Sequence, residues 1–220
     1  MIKAVLFDLD GTLADTAPDL CYALNLMRRA RGLADVPLAD TRPRTSMGAR
    51  GMLAAGFAIA ADHADYDAMR LEFLANYEAN LCRESRLFPG MAELLQGLET
   101  RGLRWGVVTN KAERFAVPLI ERLGLATRSG CVIGGDTTPH MKPHPAPLLA
   151  GAERLAMPAA DCLYVGDDAR DIEAARAAGM GAVAAAYGYL NGHDPLDWKA
   201  DVVIRNPLEL LAHLSAGPIP

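Results

Sequence analysis

Short apolar runs recur along the chain, each bounded by polar or turn-forming residues. In chain order they are AVLFD, WGVVTN, CLYVGDD, GAVAAAY and DVVIR. Their centres are apolar at consecutive positions, with no alternation between apolar and polar side chains. Such runs are typical of strands that are buried on both faces, as in a parallel sheet covered by helices. The pattern therefore predicts a buried parallel sheet.

Amphipathic helical patterns lie between the later runs. In residues 91–102 the apolar positions recur at helical spacing, and Gly102 is placed to end the helix. Residues 145–157 and 169–179 repeat this pattern. The alternation of strand and helix predicts right-handed parallel crossovers. The predicted fold class is α/β, with a doubly wound, Rossmann-like parallel sheet.

The segment from residue 15 to residue 86, here called the helical insertion, departs from this alternation. It contains long helical patterns at residues 17–32 and 66–81 and no convincing strand between them. A proline–glycine pair just beyond it suits a boundary turn. We therefore predict an α/β core made of residues 1–14 and 87–220, interrupted by an all-helical domain at residues 15–86.

Composition narrows the classes of partner. The chain has 220 residues, of which 51% are hydrophobic and 22% charged, and its formal net charge is −5. A chain with net negative charge lacks the excess of basic residues that favours binding to nucleic acid or to an anionic membrane surface. We expect neither partner. An anionic substrate would need a local site, with a bound cation to help.

The cysteines are scattered, with no CxxC pair among them. They are Cys21, Cys82, Cys131 and Cys162. This spacing favours reduced thiols over a disulfide framework or a zinc site. The first apolar run is too short for a secretory signal, and no apolar stretch approaches the length of a membrane span. We expect a cytoplasmic protein that is a monomer or a homodimer.

Polar side chains follow three of the predicted strands, at the point where each strand ends. They are Asp8, Asp10, Thr109, Asn110, Asp167 and Asp168. Lys142 lies just before a helix start that is marked by prolines. Ligands of open parallel sheets bind beyond the carboxyl ends of the strands. The sequence therefore predicts that carboxylates, a hydroxyl, an amide and an ammonium meet at one rim of the sheet.

These residue types suit phosphoryl transfer through an aspartyl phosphate. A carboxylate can attack phosphorus and so divide a difficult hydrolysis into two easier steps. Oxygens of Asp8, of Asp167 and of a backbone carbonyl would hold Mg²⁺, which binds substrate phosphate directly. Lys142 would offset the negative charge, and Thr109 with backbone amides would bind the phosphoryl oxygens. Asp10 would protonate the leaving oxygen and later deprotonate the attacking water.

Four motifs resemble those of the haloacid dehalogenase superfamily and occur in the same order. They are DLDGT at residues 8–12, VVTN at 107–110, KPHP at 142–145 and GDDARD at 166–171. The resemblance implies that Asp8 is the nucleophile and Asp10 the general acid and base. It also implies that the helical insertion is a cap that closes over the substrate and excludes water.

The resemblance further implies a phosphate site and a metal site. The phosphate-binding residues would be Thr109, Asn110 and Lys142. Mg²⁺ would be held by Asp8, by the backbone carbonyl of Asp10 and by Asp167. Asp168 or Asp171 would support the metal or Lys142 from further out. Acids also favour helix N-termini, so we expect one acid of this motif to cap the following helix, with Asp168 or Asp171 favoured.

Within the superfamily, the chain looks most like the branch of phosphoglycolate phosphatases. The stretches MRLEFLANYEANL and DWKADVVI look closer still to N-acetylmuramic acid 6-phosphate phosphatases. The cap segment reads TSMGARG, with Met47 and Arg50, where phosphoglycolate phosphatases often carry a Gly-Asn-Gly-like stretch. The predicted function is Mg²⁺-dependent hydrolysis of a phosphate monoester of a small metabolite, in the manner of phosphoglycolate phosphatase.

Three alternatives remain open at the level of sequence. The first is the same hydrolysis with N-acetylmuramic acid 6-phosphate as the substrate. The second is a phosphomutase of the β-phosphoglucomutase type, which returns the phosphoryl group to a sugar. The third is a receiver domain, which stores the phosphoryl group to switch a partner. The receiver is disfavoured because such domains have adjacent acids, a later phospho-acceptor and no helical insertion after the first strand.

Overall fold

A computed structural model describes residues 1–216 of the chain. Its strands are β1 (Ala4–Phe7), β2 (Ala14–Asp15), β3 (Arg86–Leu87), β4 (Arg104–Val108), β5 (Val132–Ile133), β6 (Cys162–Gly166), β7 (Gly181–Ala185) and β8 (Val202–Ile204). Its α-helices are α1 (Ala17–Ala30), α2 (Leu38–Thr41), α3 (Gly48–Phe57), α4 (Tyr66–Ala79), α5 (Met91–Thr100), α6 (Glu113–Arg122), α7 (Ala146–Arg154), α8 (Ala169–Ala177) and α9 (Glu209–Ala216).

Six of these strands form one sheet in the order β5-β4-β1-β6-β7-β8, and all neighbouring strands are parallel. Phe7, the last residue of β1, pairs with Val107 on one side and with Val165 on the other. The residues that follow β1, β4 and β6 therefore leave the sheet at the same edge. The predicted doubly wound parallel sheet is confirmed.

The side chains of β1 alternate between two apolar layers, one on each face of the sheet. Val5 and Phe7 pack into one layer, and Ala4 and Leu6 pack into the other. All four are fully buried. Burial on both faces explains why the first apolar run contains no polar position before Asp8. Each large apolar side chain buried in this way contributes about 1.5–3 kcal/mol to folding.

The five predicted strands are all present, and among the elements that were not predicted are β5 and α6 of the core. β5 contains only two residues and forms one edge of the sheet, so its sequence carries no usable pattern. α6 contains Pro118, which removes a helical hydrogen-bond donor and weakens the helical pattern of the sequence.

The helical insertion leaves and rejoins the sheet through two adjacent short strands. β2 and β3 pair antiparallel, with Asp15 opposite Arg86. The helices predicted within residues 17–32 and 66–81 are present as α1 and α4, and these two helices pack against each other. The predicted boundaries fall inside the β2–β3 ladder. The division into two domains stays a prediction.

The structure also bears on the cysteines and on membranes. All four cysteines are free thiols, as predicted. Within residues 1–216, no helix combines the length and the apolar character that crossing a membrane requires. The expected cytoplasmic location and the expected monomer or homodimer stay predictions.

Candidate active site

Three buried carboxylates meet at the carboxyl ends of β1 and β6. Asp8 follows β1, Asp167 follows β6, and Asp171 lies in the first turn of α8. One oxygen atom from each lies within 4.8 Å of the other two. They come together because β1 and β6 are neighbours in the sheet and end at the same edge.

The turn that follows Asp10 passes directly against this cluster. Gly11 has a φ of 90°, which L side chains rarely adopt, and a Cβ there would lie 2.2 Å from Oδ2 of Asp167. Both the backbone angle and the close approach require a residue without a side chain. This requirement explains the glycine that interrupts the first motif.

Lys142 brings a buried positive charge into the cluster. Its Nζ lies 2.9 Å from Asp8 Oδ1 and 2.7 Å from Asp171 Oδ1, and the side chain is only 3% exposed. Nζ also donates a hydrogen bond of 2.7 Å to the Tyr164 hydroxyl. Burial alone would lower the pKa of Lys142, but the carboxylates of Asp171 and Asp8 outweigh it and raise the pKa. Lys142 is therefore charged.

Asp167 is fully buried and is held on both carboxylate oxygens. The Thr12 hydroxyl donates to Oδ1 at 3.0 Å, and the Tyr189 backbone N–H donates to Oδ2 at 2.8 Å. Burial raises the pKa of Asp167 well above its usual range, and the charges of Asp8 and Asp171 raise it further. Three carboxyl groups thus share one ammonium, and their proximity disfavours the ionised form of Asp167.

This cluster fits a divalent cation. Carboxylate oxygens are the hard ligands that Mg²⁺ prefers, and three of them converge here. Oδ1 of Asp8 lies near Lys142 Nζ at an angle that makes no hydrogen bond, so among residues 1–216 this buried oxygen has no donor. The Lys142 ammonium offsets part of the charge of this oxygen, and a divalent cation would supply the further partner that a buried carboxylate oxygen needs.

Asp10 lies outside this cluster and has partners of its own. Lys111 Nζ lies 2.9 Å from its Oδ1 and 3.0 Å from its Oδ2. The Thr16 hydroxyl also donates to Oδ1. The two acids of the first motif therefore sit in different surroundings, as their two predicted roles require.

Thr109 and Asn110 follow β4 on the opposite side of Asp8 from Asp167. The Thr109 hydroxyl accepts a hydrogen bond of 3.2 Å from the Lys111 N–H. The Asn110 amide holds the backbone of Lys142: its Oδ1 accepts from Lys142 N at 2.9 Å, and its Nδ2 donates to Lys142 O at 3.0 Å. Phosphate binding by Thr109 and Asn110 stays a prediction, and the observed contacts of Asn110 position Lys142.

The acids of the fourth motif cap the helix that follows them. Asp168 accepts a hydrogen bond of 3.0 Å from the Arg170 N–H, and Asp171 accepts one of 3.1 Å from the Asp168 N–H. These contacts form a capping box at the start of α8, which confirms the predicted cap. Burial would raise the pKa of Asp168, but the hydrogen bonds from Arg170 outweigh it and lower the pKa. Arg170 also donates to the Ser46 carbonyl of the helical insertion at 3.1 Å.

Tyr189 links the acidic cluster to the first residues of the helical insertion. Its hydroxyl accepts hydrogen bonds from the N–H groups of Thr16 and Ala17, at 2.8 and 2.9 Å, and donates to Asp15 at 2.9 Å. Its own N–H donates to Asp167. Nothing in the sequence indicated this role, since a tyrosine among apolar residues is normally interpreted as a packing residue.

A cavity of about 450 Å³ lies between the rim of the sheet and the helical insertion. The core contributes Asp8, Asp10, Thr109, Asn110, Lys111, Lys142, Asp168 and Asp171 to its wall. The helical insertion contributes Ser46, Met47, Arg50, Tyr66, Arg70, Phe73 and Tyr77, among others. Asp167 is the one predicted site residue that does not line the cavity: it is fully buried, and the turn at Gly11 packs against its carboxylate.

A parallel sheet with an acidic rim beneath a helical insertion defines an α/β enzyme whose site lies at the carboxyl ends of its strands. Comparison with known proteins identifies the family. The model of haloacid dehalogenase-like hydrolases matches residues 2–179, and the chain belongs to that family.

Similar proteins within the family are phosphatases by name. A phosphoglycolate phosphatase of Xanthomonas campestris pv. campestris (strain 8004) is 51% identical over 209 residues, which cover 94% of each chain. An N-acetylmuramic acid 6-phosphate phosphatase of Pseudomonas putida is 47% identical over 210 residues, covering 95% of this chain and 94% of the relative. The crystal structure of a predicted phosphoglycolate phosphatase from Haemophilus somnus 129pt has a TM-score of 0.85 at 28% identity, covering 97% of this chain and 98% of that chain. The chain is a phosphatase of this family.

Proposed function

We propose that the protein is a Mg²⁺-dependent phosphomonoester hydrolase that works through a phosphorylated Asp8. The observation that carries the proposal is the position of Asp8, at the base of the cavity with Lys142 on one side and two further acids around it. The nucleophile thus faces the space where a substrate would bind. Its charge is partly offset before any phosphate arrives.

In the proposed reaction, the Asp8 carboxylate attacks phosphorus and the bond from phosphorus to the alcohol oxygen breaks. Asp10, which carries a proton at the start of the cycle, donates it to that departing oxygen. A water molecule then attacks the phosphorus, Asp10 takes a proton from it, and the bond to Asp8 breaks. Inorganic phosphate leaves, and both acids return to their starting forms.

The charge arrangement supports this sequence of steps. Lys142 would neutralise part of the charge that the phosphoryl group brings next to Asp8. Mg²⁺ would be held by Asp8, by the Asp10 carbonyl and by Asp167, and when bound it would reduce the repulsion between the two anions. Residues 15–86 would act as the cap and exclude water. The hydrogen bond from Arg170 to the Ser46 carbonyl would help to hold this cap on the core.

For the substrate, we propose a phosphorylated acid that is larger than phosphoglycolate. A cavity of about 450 Å³ is in the range of pockets that enclose drug-sized ligands, roughly 300–1,000 Å³, so a two-carbon acid would leave most of it filled with water. Arg50, Arg70 and Arg114 line the cavity, and within residues 1–216 none of these three side chains forms an ion pair or a hydrogen bond. They could meet a second anionic group of the substrate. Among the relatives' substrates, N-acetylmuramic acid 6-phosphate fits this description better.

The test is phosphate release from matched substrates in the presence of Mg²⁺. N-acetylmuramic acid 6-phosphate and N-acetylglucosamine 6-phosphate differ by the lactyl ether that carries the carboxylate. We expect a kcat/KM at least about tenfold higher for the first, since hydrogen bonds between charged groups contribute roughly 1.5–3 kcal/mol. A higher kcat/KM for 2-phosphoglycolate than for both sugars would contradict the proposed substrate. Isomer formation without phosphate release would instead indicate a mutase, and a single phosphorylation without turnover would indicate a receiver.

Replacing Asp167 by Asn should remove the response to Mg²⁺ and stabilise the metal-free protein. In metal-free protein burial and the charges of Asp8 and Asp171 raise the pKa of Asp167, so folding must either protonate this carboxylate or accept its repulsion, whereas Asn carries neither cost. Asn can still accept from the Tyr189 N–H, and the Thr12 hydroxyl can rotate to accept from the new NH₂ group. In EDTA we expect a thermal midpoint about 2–8 °C above that of the unmutated protein, which corresponds to relief of about 1–2 kcal/mol.

The measurement is thermal unfolding with EDTA and with increasing Mg²⁺. The unmutated protein should gain stability with Mg²⁺, because a ligand that binds only the folded state raises its stability. The Asn variant should gain little. An equal gain in both proteins would remove Asp167 from the metal site, whatever happens to activity.

A further inference from the structure

Lys111 is the residue of the site whose role the proposed mechanism leaves unexplained. Its ammonium lies between the two oxygens of the Asp10 carboxylate, at 2.9 and 3.0 Å, and its side chain is only 8% exposed. A surface lysine normally keeps its ammonium in water. The Lys111 ammonium is instead largely removed from water and forms an ion pair with the Asp10 carboxylate.

The backbone of Lys111 is also fixed. Its N–H donates to the Thr109 hydroxyl at 3.2 Å, and its carbonyl accepts from the Gly135 N–H at 2.8 Å. The backbone of Lys111 is therefore held by the segments that follow β4 and β5, and its ammonium is held by Asp10. A lysine that is held in this way restricts the orientation of the Asp10 carboxyl group.

The helical insertion contributes the remaining contact. The ring of Tyr77, on α4, faces Lys111, with Nζ 4.7 Å from the ring centroid. An ammonium at this distance is attracted by the ring electrons. The Tyr77 hydroxyl is buried and has no hydrogen-bond partner among residues 1–216. Burial also raises the pKa of Tyr77 to about 12, so this hydroxyl stays neutral. The contact between Tyr77 and Lys111 that the structure shows is therefore the one with the ring.

We propose that Lys111 is a positioning residue for Asp10 and that Tyr77 completes this support from the helical insertion. Without the ammonium, the side-chain contact left to the Asp10 carboxylate would be the Thr16 hydroxyl, which fixes only one of its two oxygens. The carboxyl group of Asp10 could then turn away from the departing oxygen, to which it must give its proton. Displacements of about 1 Å at a reacting group cost up to about 100-fold in rate. The inference rests on the proposed role of Asp10 as general acid.

Two simpler roles for Lys111 predict different kinetics. If Lys111 only attracts the phosphate, its loss lowers kcat/KM for every phosphate ester by the same factor. If it only fastens the helical insertion to the core, its loss lowers stability and affects all esters alike. A positioning role predicts a loss that depends on the alcohol, because only a poor leaving group needs the proton from Asp10. An effect that is the same for both esters cancels in the ratio of their kcat/KM values.

The experiment compares kcat/KM for N-acetylmuramic acid 6-phosphate, an alkyl ester, with that for p-nitrophenyl phosphate, whose phenolate leaves without a proton. For Lys111→Met we expect a loss on the order of 100-fold with the alkyl ester and less than about tenfold with the aryl ester. Lys111→Arg should recover part of the lost ratio, because a guanidinium can also bind both oxygens of a carboxylate. The matched control is Lys3→Met, which removes an exposed lysine that is paired with Asp161 at 2.7 Å. It should leave the ratio unchanged.

Asp10→Asn is measured in parallel to separate the two proposals. We expect it to lower kcat/KM for the alkyl ester more than for the aryl ester. An equal loss for both esters would overturn the general-acid role of Asp10 itself. A selective loss in Asp10→Asn together with an equal loss in Lys111→Met would overturn only the positioning role of Lys111.

Tyr77 supplies a second test that leaves Lys111 in place. Tyr77→Leu removes the ring and should lower the ratio of alkyl to aryl kcat/KM by about two- to thirtyfold, the range that an ammonium–ring contact contributes. Tyr77→Phe keeps the ring and should keep the ratio. Equal ratios in the Leu and Phe variants would overturn the part of the proposal that concerns Tyr77. Circular dichroism of each variant verifies that the fold is retained.

Discussion

Replacing Asp8 by Asn is expected to reduce phosphate release by roughly 10⁴-fold or more, the size of effect seen when an enzyme loses its nucleophile. An amide oxygen is a poor nucleophile and cannot form the proposed acyl phosphate. Asp8 is the carboxylate that both lines the cavity and contacts Lys142 while following the central strand β1. The steps that remain in the variant, binding and charge stabilisation, do not break the ester bond.

The Asn variant should fold normally, so the loss can be attributed to chemistry. It removes one negative charge from a cluster that holds a surplus, and its amide oxygen can still face Lys142. Asp35→Asn is the matched control, because Asp35 is an exposed acid that pairs with Arg29 at the surface. That control should retain full activity. An acid quench with ³²P-labelled substrate should label the unmutated protein and the control but not the Asp8 variant. Substantial turnover in folded Asp8→Asn protein would refute the proposed nucleophile.

The sheet and the acidic cluster could be predicted from the sequence for one physical reason. A strand that is buried on both faces must be apolar at every position, so the first polar residue marks the end of the strand. Val5 and Phe7 face one layer and Leu6 faces the other, and the chain turns polar at Asp8. The same change at the end of β6 located Asp167. Strand ends are therefore visible in the sequence even where the loops beyond them are not.

The partners of these acids were harder to predict, because they come from distant parts of the chain and have ordinary local sequences. Lys111 follows Asn110 directly, yet a lysine after a strand is most often solvated. Only the fold brings its ammonium to Asp10, which is 101 positions away in the sequence. The contact of Asn110 with the Lys142 backbone likewise depends on how two loops meet. A local sequence pattern cannot predict a contact between two loops that are distant in the sequence.

Asp171 shows that capping the helix and supporting Lys142 are compatible roles for one acid. The sequence left Asp168 and Asp171 open between these roles, because an acid near a helix start suits either. In the structure Asp171 does both: one of its oxygens accepts from the Asp168 N–H, and the other contacts Lys142. A carboxylate has two oxygens, so capping the helix leaves one free to hold the lysine. Capping also fixes where that second oxygen points.

Replacing Lys142 by Met is expected to abolish turnover and to destabilise the protein by about 3–5 kcal/mol, the usual cost of removing one member of a buried ion pair. Met fills a similar volume but leaves the buried carboxylates of Asp8 and Asp171 without the ammonium between them. Lys142→Arg should restore little activity, since a wider guanidinium does not fit a side chain position that is 3% exposed. Phosphate release and urea unfolding measure the two effects separately.

A double variant tests whether the two effects have different origins. Asp171→Asn in the Lys142→Met background removes a carboxylate that has lost its partner, and its amide oxygen can still accept from the Asp168 N–H. We expect it to recover about half of the lost stability or more, with the Asp171→Asn single variant completing the cycle. It should recover no activity, because nothing then offsets the charge of a phosphate beside Asp8. If activity returned together with stability, Lys142 would have only a structural role, and the electrostatic part of the proposed mechanism would fail. Loss of activity with recovered stability would instead assign the Lys142–Asp171 contact to folding and the Lys142–Asp8 contact to catalysis.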